Sequence, residues 1–173
     1  MKSKLLRRMR REEGNATIEF VILFPVIMFV FLSAFEVGIY LTRSVLLDRA
    51  VDINVRALRL GTMSPMTAEE LKRRICNDSL IFADCMNSMM VELVPISTET
   101  WAFPADQITC VERDEDIQPV VDFIPGGQNE VMLVRACAVL DPFFASTPFV
   151  MELPLDVSGG YAIAAASTFV NEP

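Results

Sequence analysis

Residues 20–42 read FVILFPVIMFVFLSAFEVGIYLT, and this stretch decides the fold class because it holds a single charged side chain, Glu36. A helix needs about 20 consecutive apolar residues to cross a bilayer. A single segment in lipid must be helical, because each backbone polar group has to be satisfied within it. The 23 residues from Phe20 to Thr42 therefore predict one transmembrane helix.

Charge is distributed unevenly on the two sides of this span. Six basic residues precede it, whereas the chain from Gly61 onward has five basic residues against seventeen acidic ones. The positive-inside rule therefore predicts a cytoplasmic N-terminus and an acidic domain on the far side of the membrane. The acidic character of this domain also argues against nucleic acid as a partner.

A removable secretory signal is the alternative interpretation of the span. The apolar region of such a signal is about 7–15 residues long and ends at a small-residue cleavage site. The run in this chain is longer, and no A-x-A sequence follows it before Arg43. We therefore expect the helix to be retained.

The helical pattern continues beyond the span. Residues 43–60 contain no proline or glycine, and Gly61 is expected to end the helix. Apolar residues recur at spacings of three and four, which predicts an amphipathic helix. We expect this segment, the upper half of the long helix, to pack on the outer domain. These residues are Val45, Leu46, Ala50, Ile53, Ala57 and Leu60. We expect one long helix over 15–60, in which Pro25 introduces a kink or leaves a carbonyl without its usual donor.

Shorter elements follow the long helix. Thr67 and Glu70 have the capping-box spacing, which predicts a short second helix. Four later runs are apolar or alternating and are bounded by turn residues, which predicts strands at 89–96, 107–112, 130–140 and 160–170. The expected fold is α+β: a long N-terminal transmembrane and amphipathic helix, a short second helix and a small antiparallel sheet. The predicted divisions are a basic cytoplasmic leader (1–14), the long helix (15–60) and an extracytoplasmic domain (61–173).

The four cysteines of the chain all lie beyond the span, at Cys76, Cys85, Cys110 and Cys137. An even number of cysteines in an exported domain favours disulfides. Zinc is disfavoured because the chain has no histidine and no C-x2-C pair. Of the three possible pairings we favour Cys76–Cys85, a short local loop, and Cys110–Cys137, which would join two predicted strands.

Composition limits the classes of function. The absence of histidine excludes Ser-His-Asp and Cys-His catalytic arrangements, and no carboxylate pair is singled out for acid–base catalysis. We therefore predict no enzyme activity, no cofactor and no metal site. The phenylalanines of the Pro-rich stretch 141–158 and Trp101 are expected to pack in the core.

An acidic residue, Glu19, lies at the cytoplasmic end of the apolar run, where a carboxylate costs free energy unless it is solvated or paired. It belongs to a longer pattern formed by Gly14, Ile18-Glu19-Phe20, Pro25 and Glu36-x-Gly38. This pattern resembles the TadE-like family, which are minor pseudopilins of tight adherence (Tad, Flp-type) pili, over residues 11–56. The resemblance implies a pilin-like fold and cleavage by a prepilin peptidase after Gly14.

The resemblance also implies roles for individual residues. Gly14, Asn15, Glu19 and Phe20 form the processing motif, and cleavage makes Asn15 the mature N-terminus and Glu19 its fifth residue. A neighbouring subunit could present its new α-ammonium to Glu19, and such a pair would set the register between packed helices. Helix-packing roles are expected for Glu19, Pro25, Glu36 and Gly38.

The expected function is assembly or tip structure of a Tad pilus used for surface adherence. The implied partners are the prepilin peptidase, other pilus subunits and the inner membrane. The chain would cross that membrane once, with its C-terminal domain in the periplasm, before assembly into an extracellular pilus. The alternative is an uncleaved membrane tether that carries an extracytoplasmic binding or scaffold domain.

Overall fold

The computed structural model describes residues 15–63, 65–79, 84–104, 108, 110–113 and 118–172. In chain order its elements are helix α1 (Asn15–Arg59), helix α2 (Ala68–Ser79), the short helix α3 (Cys85–Ser88), strand β1 (Met89–Ile96), strand β2 (Val131–Leu140), the short helix α4 (Pro148–Met151) and strand β3 (Tyr161–Val170). The predicted leader, 1–14, lies outside the described residues. The α+β class and the order of a long helix, a short helix and an antiparallel sheet are confirmed.

Helix α1 runs through Pro25 without interruption for 45 residues, which is about 68 Å at 1.5 Å per residue. In the described part of the chain it is the one helix long and apolar enough to cross a membrane. Gly61 ends it with a left-handed φ of +62°. The Gly61 N–H donates to the Leu58 carbonyl at 2.9 Å, and the Thr62 N–H donates to the Ala57 carbonyl at 3.1 Å. This is a Schellman motif, so the predicted glycine stop is confirmed.

Helix α2 forms only half of the predicted capping box. The Thr67 hydroxyl accepts a hydrogen bond from the Glu70 N–H at 3.2 Å. The Glu70 carboxylate turns instead to Arg73 and Arg74, at 2.7 Å from each guanidinium. Two arginines one turn along the helix therefore compete with the reciprocal capping bond, and the helix forms without it.

Strands β1, β2 and β3 form one antiparallel sheet in that order. The β1–β2 register runs from Met89 opposite Ala138 to Ile96 opposite Val131. The β2–β3 register runs from Val131 opposite Val170 to Leu140 opposite Tyr161. Three of the four predicted strands are thus found within one residue of their expected bounds.

The fourth predicted strand, 107–112, is wrong: its described residues are not in a strand, and the others lie outside the described residues. A disulfide holds Cys110 against Cys137 of β2, with a Cα–Cα distance of 5.2 Å. Segment 122–124 lies along the outer edge of β1 through two backbone hydrogen bonds of Leu93, 2.8 and 3.0 Å long. A disulfide can hold an apolar segment beside a sheet without the backbone hydrogen bonds of a strand. The apolar pattern of 107–112 therefore predicted a strand where the described residues form none.

The second disulfide joins Cys76 of α2 to Cys85 of α3, with a Cα–Cα distance of 5.7 Å. Both bonds have the pairing that the sequence favoured. They connect α2 to the start of the sheet and the loop after β1 to the central strand.

The main core lies between α1, α2 and one face of the sheet. The apolar stripe predicted for the upper half of α1 is largely wrong, because Val45, Ile53 and Leu60 are 63%, 48% and 59% exposed. Of the predicted residues only Ala50 is fully buried. The packing face instead combines apolar and polar side chains: Glu36, Tyr40, Arg43, Leu47, Ala50, Asn54 and Leu58. We call this set the seam.

Candidate functional site

The described chain begins inside the predicted processing motif. Asn15 is the first residue of α1, and Gly14 lies outside the described residues. Glu19 and Phe20 lie on the first turns of the helix and are exposed. The Phe20 ring stacks against Phe24 one turn later, with 5.3 Å between ring centroids. Glu19 and Phe20 are therefore exposed at the described end of the helix.

The lower part of α1 has little cover from the described part of the chain. Between residues 16 and 35 no side chain is fully buried. The large apolar side chains here include Val21, Ile27 and Phe31, each about 60% exposed. These 20 residues extend about 30 Å, which matches the hydrocarbon thickness of a bilayer. Lipid or another helix can therefore occupy this surface.

Glu36 is the first fully buried side chain along the described part of α1. Its two carboxylate oxygens accept hydrogen bonds from the Phe143 and Phe144 N–H groups, at 3.2 and 3.0 Å. The Phe35 ring meets the Phe144 ring edge-on, with centroids 6.0 Å apart. Glu36 thus binds the loop between β2 and α4. At this level α1 meets the described residues from 61 onward, which we call the sheet domain.

Arg43, two turns above Glu36 on the same face, makes the second polar connection. Its guanidinium Nη1 donates to the Asp141 carbonyl at 2.9 Å and to the Tyr161 hydroxyl. The guanidinium also lies 5.1 Å from the Phe143 ring centroid and 5.9 Å from that of Tyr161. Cation–π contacts at these distances are attractive. Arg43 therefore links α1 to the loop after β2 and to β3.

Tyr161 contributes both ring packing and a hydrogen-bond acceptor to this contact. It is 1% exposed, and its ring packs on Tyr40 at 5.4 Å between centroids. Burial raises the pKa of Tyr161 above its usual 10.0, and the hydrogen bond from Arg43 acts in the opposite direction. A neutral hydroxyl is thus maintained as the acceptor for the arginine. We call Glu36, Tyr40, Arg43 and Tyr161 the anchor cluster.

Gly38 faces away from this cluster. Two residues correspond to about 200° around an α-helix, so Gly38 lies opposite Glu36. A Cβ added at Gly38 would meet no atom of the described residues within 4 Å. These two of the four predicted helix-packing residues therefore lie on different surfaces: Glu36 binds the chain's own loop, and Gly38 lies on the open side of the helix.

Residues 14–53 match the family model described as TadE-like protein. This chain carries a TadE-like domain. The domain is consistent with a protein of the Tad pilus system, and it covers the processing motif, Pro25, Glu36, Gly38 and Arg43. No curated protein and no solved structure matches the chain.

The TadE-like domain ends within α1, at residue 53. The seam continues beyond it to Leu58, and the sheet against which it packs lies outside it as well. Within the match, the described residues that contact the sheet domain include Phe35, Glu36, Tyr40, Arg43 and Leu47. The family match therefore covers the exposed part of α1 and the lower part of its contact with the sheet domain.

Sequence reasoning missed three members of the anchor cluster: Tyr40, Arg43 and Tyr161. Arg43 was seen only as the end of the apolar run. One signal was present, because Glu36, Tyr40 and Arg43 recur at helical spacing beside the TadE-like motif. The identity of their partner, 118 residues from Arg43, could not be read from spacing.

Two expectations about aromatic residues are also corrected. Trp101 is 60% exposed and Phe143 is 62% exposed, so neither is a core residue. Trp101 has a positive φ of 50° in the loop after β1. Phe143 lies over Arg43, and its neighbours Phe144 and Phe149 are only partly exposed. Among the described residues no group of three or more potential metal-binding side chains occurs.

Proposed function

We propose that this chain is a minor pseudopilin of a Tad-type pilus. It is made as a single-pass precursor in the inner membrane, with the leader in the cytoplasm and the sheet domain in the periplasm. A prepilin peptidase cuts it after Gly14, and the mature chain joins other pilus subunits in the shaft or the tip complex. The TadE-like match over residues 14–53 is the observation that carries this proposal.

Cleavage after Gly14 would make Asn15 the N-terminal residue of the mature helix. A new α-ammonium at this point would lie at the positive end of the helix macrodipole, where a cation is destabilised. The first turn of α1 contains no acidic residue. The Glu19 carboxylate of a neighbouring subunit would supply the missing anion, and the pair would fix the offset between the two helices.

The exposed lower half of α1 supports the assembly step. Most of its large apolar side chains are about half exposed or more in the described part of the chain. Outside lipid, such a surface is stable only when it is buried against other apolar surface. A filament of packed helices provides that cover. The role proposed is structural and not enzymatic.

The processing step is tested by expressing the full chain with and without an active prepilin peptidase. Intact mass should decrease by the 14 residues of the leader only when the peptidase is present. Substitution of Gly14 by a bulky residue should abolish the change, whereas Gly38→Ala, a glycine change elsewhere in the helix, should leave it intact. An unchanged mass with an active peptidase would favour the uncleaved tether.

The role of Glu19 is tested separately from cleavage. Glu19→Ala should still be processed but should be absent from sheared pili, because the offset between helices is no longer fixed. Glu152→Ala changes an exposed acid of the sheet domain and should be processed and assembled normally. Normal assembly of the Glu19 variant would contradict the pairing.

A further inference from the structure

The position of Glu36 along α1 determines what surrounds the loop that it binds. Glu36 lies about 24 Å along the helix from Phe20 and about 30 Å from Ala16, at 1.5 Å per residue. The hydrocarbon core of a bilayer is about 30 Å thick. When α1 crosses a membrane, Glu36 therefore lies at the far boundary of the hydrocarbon or just inside it, whichever of these two residues marks the near boundary.

The loop between β2 and α4 is held at the same depth as Glu36. The Phe143 and Phe144 N–H groups donate to the Glu36 carboxylate at 3.2 and 3.0 Å. The Phe144 ring also meets the Phe35 ring, with 6.0 Å between centroids. A carboxylate at the edge of the hydrocarbon costs free energy unless it is paired. The two hydrogen bonds satisfy this carboxylate, and they also place the loop at the boundary of the membrane. We call residues 142–149 the boundary loop.

The boundary loop suits an apolar environment. Its sequence, PFFASTPF, contains no charged side chain, and the nearest charges are Asp141 and Glu152 on either side of it. The Phe144 carbonyl accepts hydrogen bonds from the Thr147 N–H at 3.1 Å and from the Thr147 hydroxyl at 3.0 Å. Lipid offers no hydrogen bonds to backbone groups, so a loop at the edge of the hydrocarbon requires internal pairing of this kind.

The exposed apolar surface of α1 continues onto the boundary loop. Phe143 is 62% exposed. Together with Phe35 and Ile39 it lines an open groove of about 480 Å³ along the helix. Ile39 lies about 29 Å from Phe20, so this groove is at the far boundary of the hydrocarbon. The acyl chains that surround the lower part of α1 therefore reach the Phe143 ring as well.

We propose that the boundary loop is a lipid-binding surface, which rests on the leaflet nearest the sheet domain with the Phe143 ring among the acyl chains. Removal of this ring and of the groove from water favours the contact. The loop carries no basic side chain, so its partner is the apolar part of a phospholipid and not an anionic headgroup. The proposal rests on the membrane-spanning precursor of the proposed function, but it requires neither cleavage nor assembly.

The experiment uses the full, uncleaved chain in phosphatidylcholine vesicles whose acyl chains carry bromine, which quenches tryptophan fluorescence on contact. The bromine is placed either near the glycerol backbone or near the bilayer centre. Trp101 is the only tryptophan of the chain, so Trp101→Phe combined with Phe143→Trp moves the reporter to the boundary loop. Its fluorescence should be several-fold weaker with bromine near the glycerol backbone than in vesicles without bromine, and bromine at the bilayer centre should quench it less.

Two further reporters calibrate the depth. Trp101→Phe combined with Val30→Trp places the reporter about 15 Å from Phe20, near the bilayer centre, at a position that is 67% exposed. Bromine at the bilayer centre should quench this reporter most. In the wild-type chain Trp101 follows Ile96, at the end of the sheet far from Tyr161, and should not be quenched. Circular dichroism should show that all three proteins are folded.

Each outcome separates the loop contact from the span. An unquenched Phe143→Trp reporter beside a quenched Val30→Trp reporter would overturn the lipid contact and leave the span in place. Equal quenching of the Phe143→Trp reporter and of wild-type Trp101 would also overturn the lipid contact. An unquenched Val30→Trp reporter would overturn the span, and this proposal with it. None of these outcomes bears on cleavage after Gly14, which is scored by mass.

A second measurement uses the unmutated chain. Phosphatidylcholine with a photoactivatable diazirine in its acyl chain is irradiated in the same vesicles, and the lipid-modified peptides are identified by mass spectrometry. Modified peptides should come from the lower part of α1 and from residues 142–149, but not from residues 97–104 beyond β1. Modification confined to α1 would overturn the proposal.

Discussion

Three polar side chains are buried in the seam of α1, and each has a defined partner in the rest of the chain. Glu36 accepts from the Phe143 and Phe144 amides. Arg43 donates to the Asp141 carbonyl, and Asn54 donates to the Asp78 carboxylate at 2.8 Å. Apolar contacts tolerate sliding along a helix, whereas buried polar pairs do not. These three residues therefore fix the register of α1 against the sheet domain.

Removal of the Glu36 carboxylate should loosen the loop that it binds. In Glu36→Ala the Phe143 and Phe144 amides lose their acceptor, which should lower stability by about 1–3 kcal/mol. Hydrogen exchange of these two amides should become faster, while exchange in β2 stays slow. Glu152→Ala, an exposed acid nearby in sequence, is the control. Equal protection of the two amides in both variants would contradict the assignment.

Tyr161 should titrate above the usual value for tyrosine. Burial raises its pKa above 10.0, opposed by the Arg43 hydrogen bond. The folded state therefore holds the phenolic proton to higher pH than the unfolded state. The resulting stability is complete below about pH 10 and is lost as the pH rises through the folded pKa.

This titration can be measured directly, because the chain has two tyrosines. In Tyr40→Phe the tyrosinate absorbance reports Tyr161 alone. Its midpoint should lie above 10 in the folded protein and return to about 10 in denaturant. A midpoint at or below 10 in the folded protein would contradict the prediction, because the Arg43 hydrogen bond would then outweigh burial.

At the level of elements, regular patterns were predictable and the choice of packing face was not. The strands around Val91, Val134 and Ile163 have continuous apolar or alternating runs, so their positions follow from the sequence. In the upper half of α1 apolar residues occur on several sides, and periodicity selected Val45 and Ile53. The face that is actually buried contains a glutamate, an arginine and an asparagine, which lower its hydrophobicity. Because three buried side chains of the seam are polar, apolar periodicity did not identify it.

The two faces of α1 can be compared by matched truncations. Leu47→Ala removes a side chain that is fully buried and should destabilise the domain by about 2–5 kcal/mol. Val45→Ala, two residues away and 63% exposed, should change stability by less than about 0.5 kcal/mol. Denaturant titration in a mild detergent measures both values. Similar losses in the two variants would mean that the seam is misassigned.

At the scale of the whole molecule, the processing motif and the anchor cluster differ in how they can be found. Gly14, Glu19 and Phe20 lie within seven consecutive residues, so the motif could be recognised without a fold. The anchor cluster joins Arg43 to Tyr161 across the chain, and only the folded sheet brings them together. The TadE-like match ends at residue 53, so it carries no information about Tyr161.

The orientation in the membrane should depend on the basic leader. Replacement of its six basic residues by Gln should reduce the fraction of chains whose sheet domain is reached by protease added outside spheroplasts. The same change at three basic residues of α2 should have little effect, because they lie far from the span. The leader residues are Lys2, Lys4, Arg7, Arg8, Arg10 and Arg11, and the control residues are Lys72, Arg73 and Arg74. Unchanged protease access after the leader substitutions would mean that other features set the orientation.

The continuity of α1 has a mechanical consequence. No loop or hinge separates the apolar residues 16–35 from the seam, and the anchor cluster clamps the sheet to the same rod. An axial displacement or a rotation of the sheet domain is therefore transmitted directly to the lower part of α1. A force applied to one end of this subunit therefore displaces the other end as well.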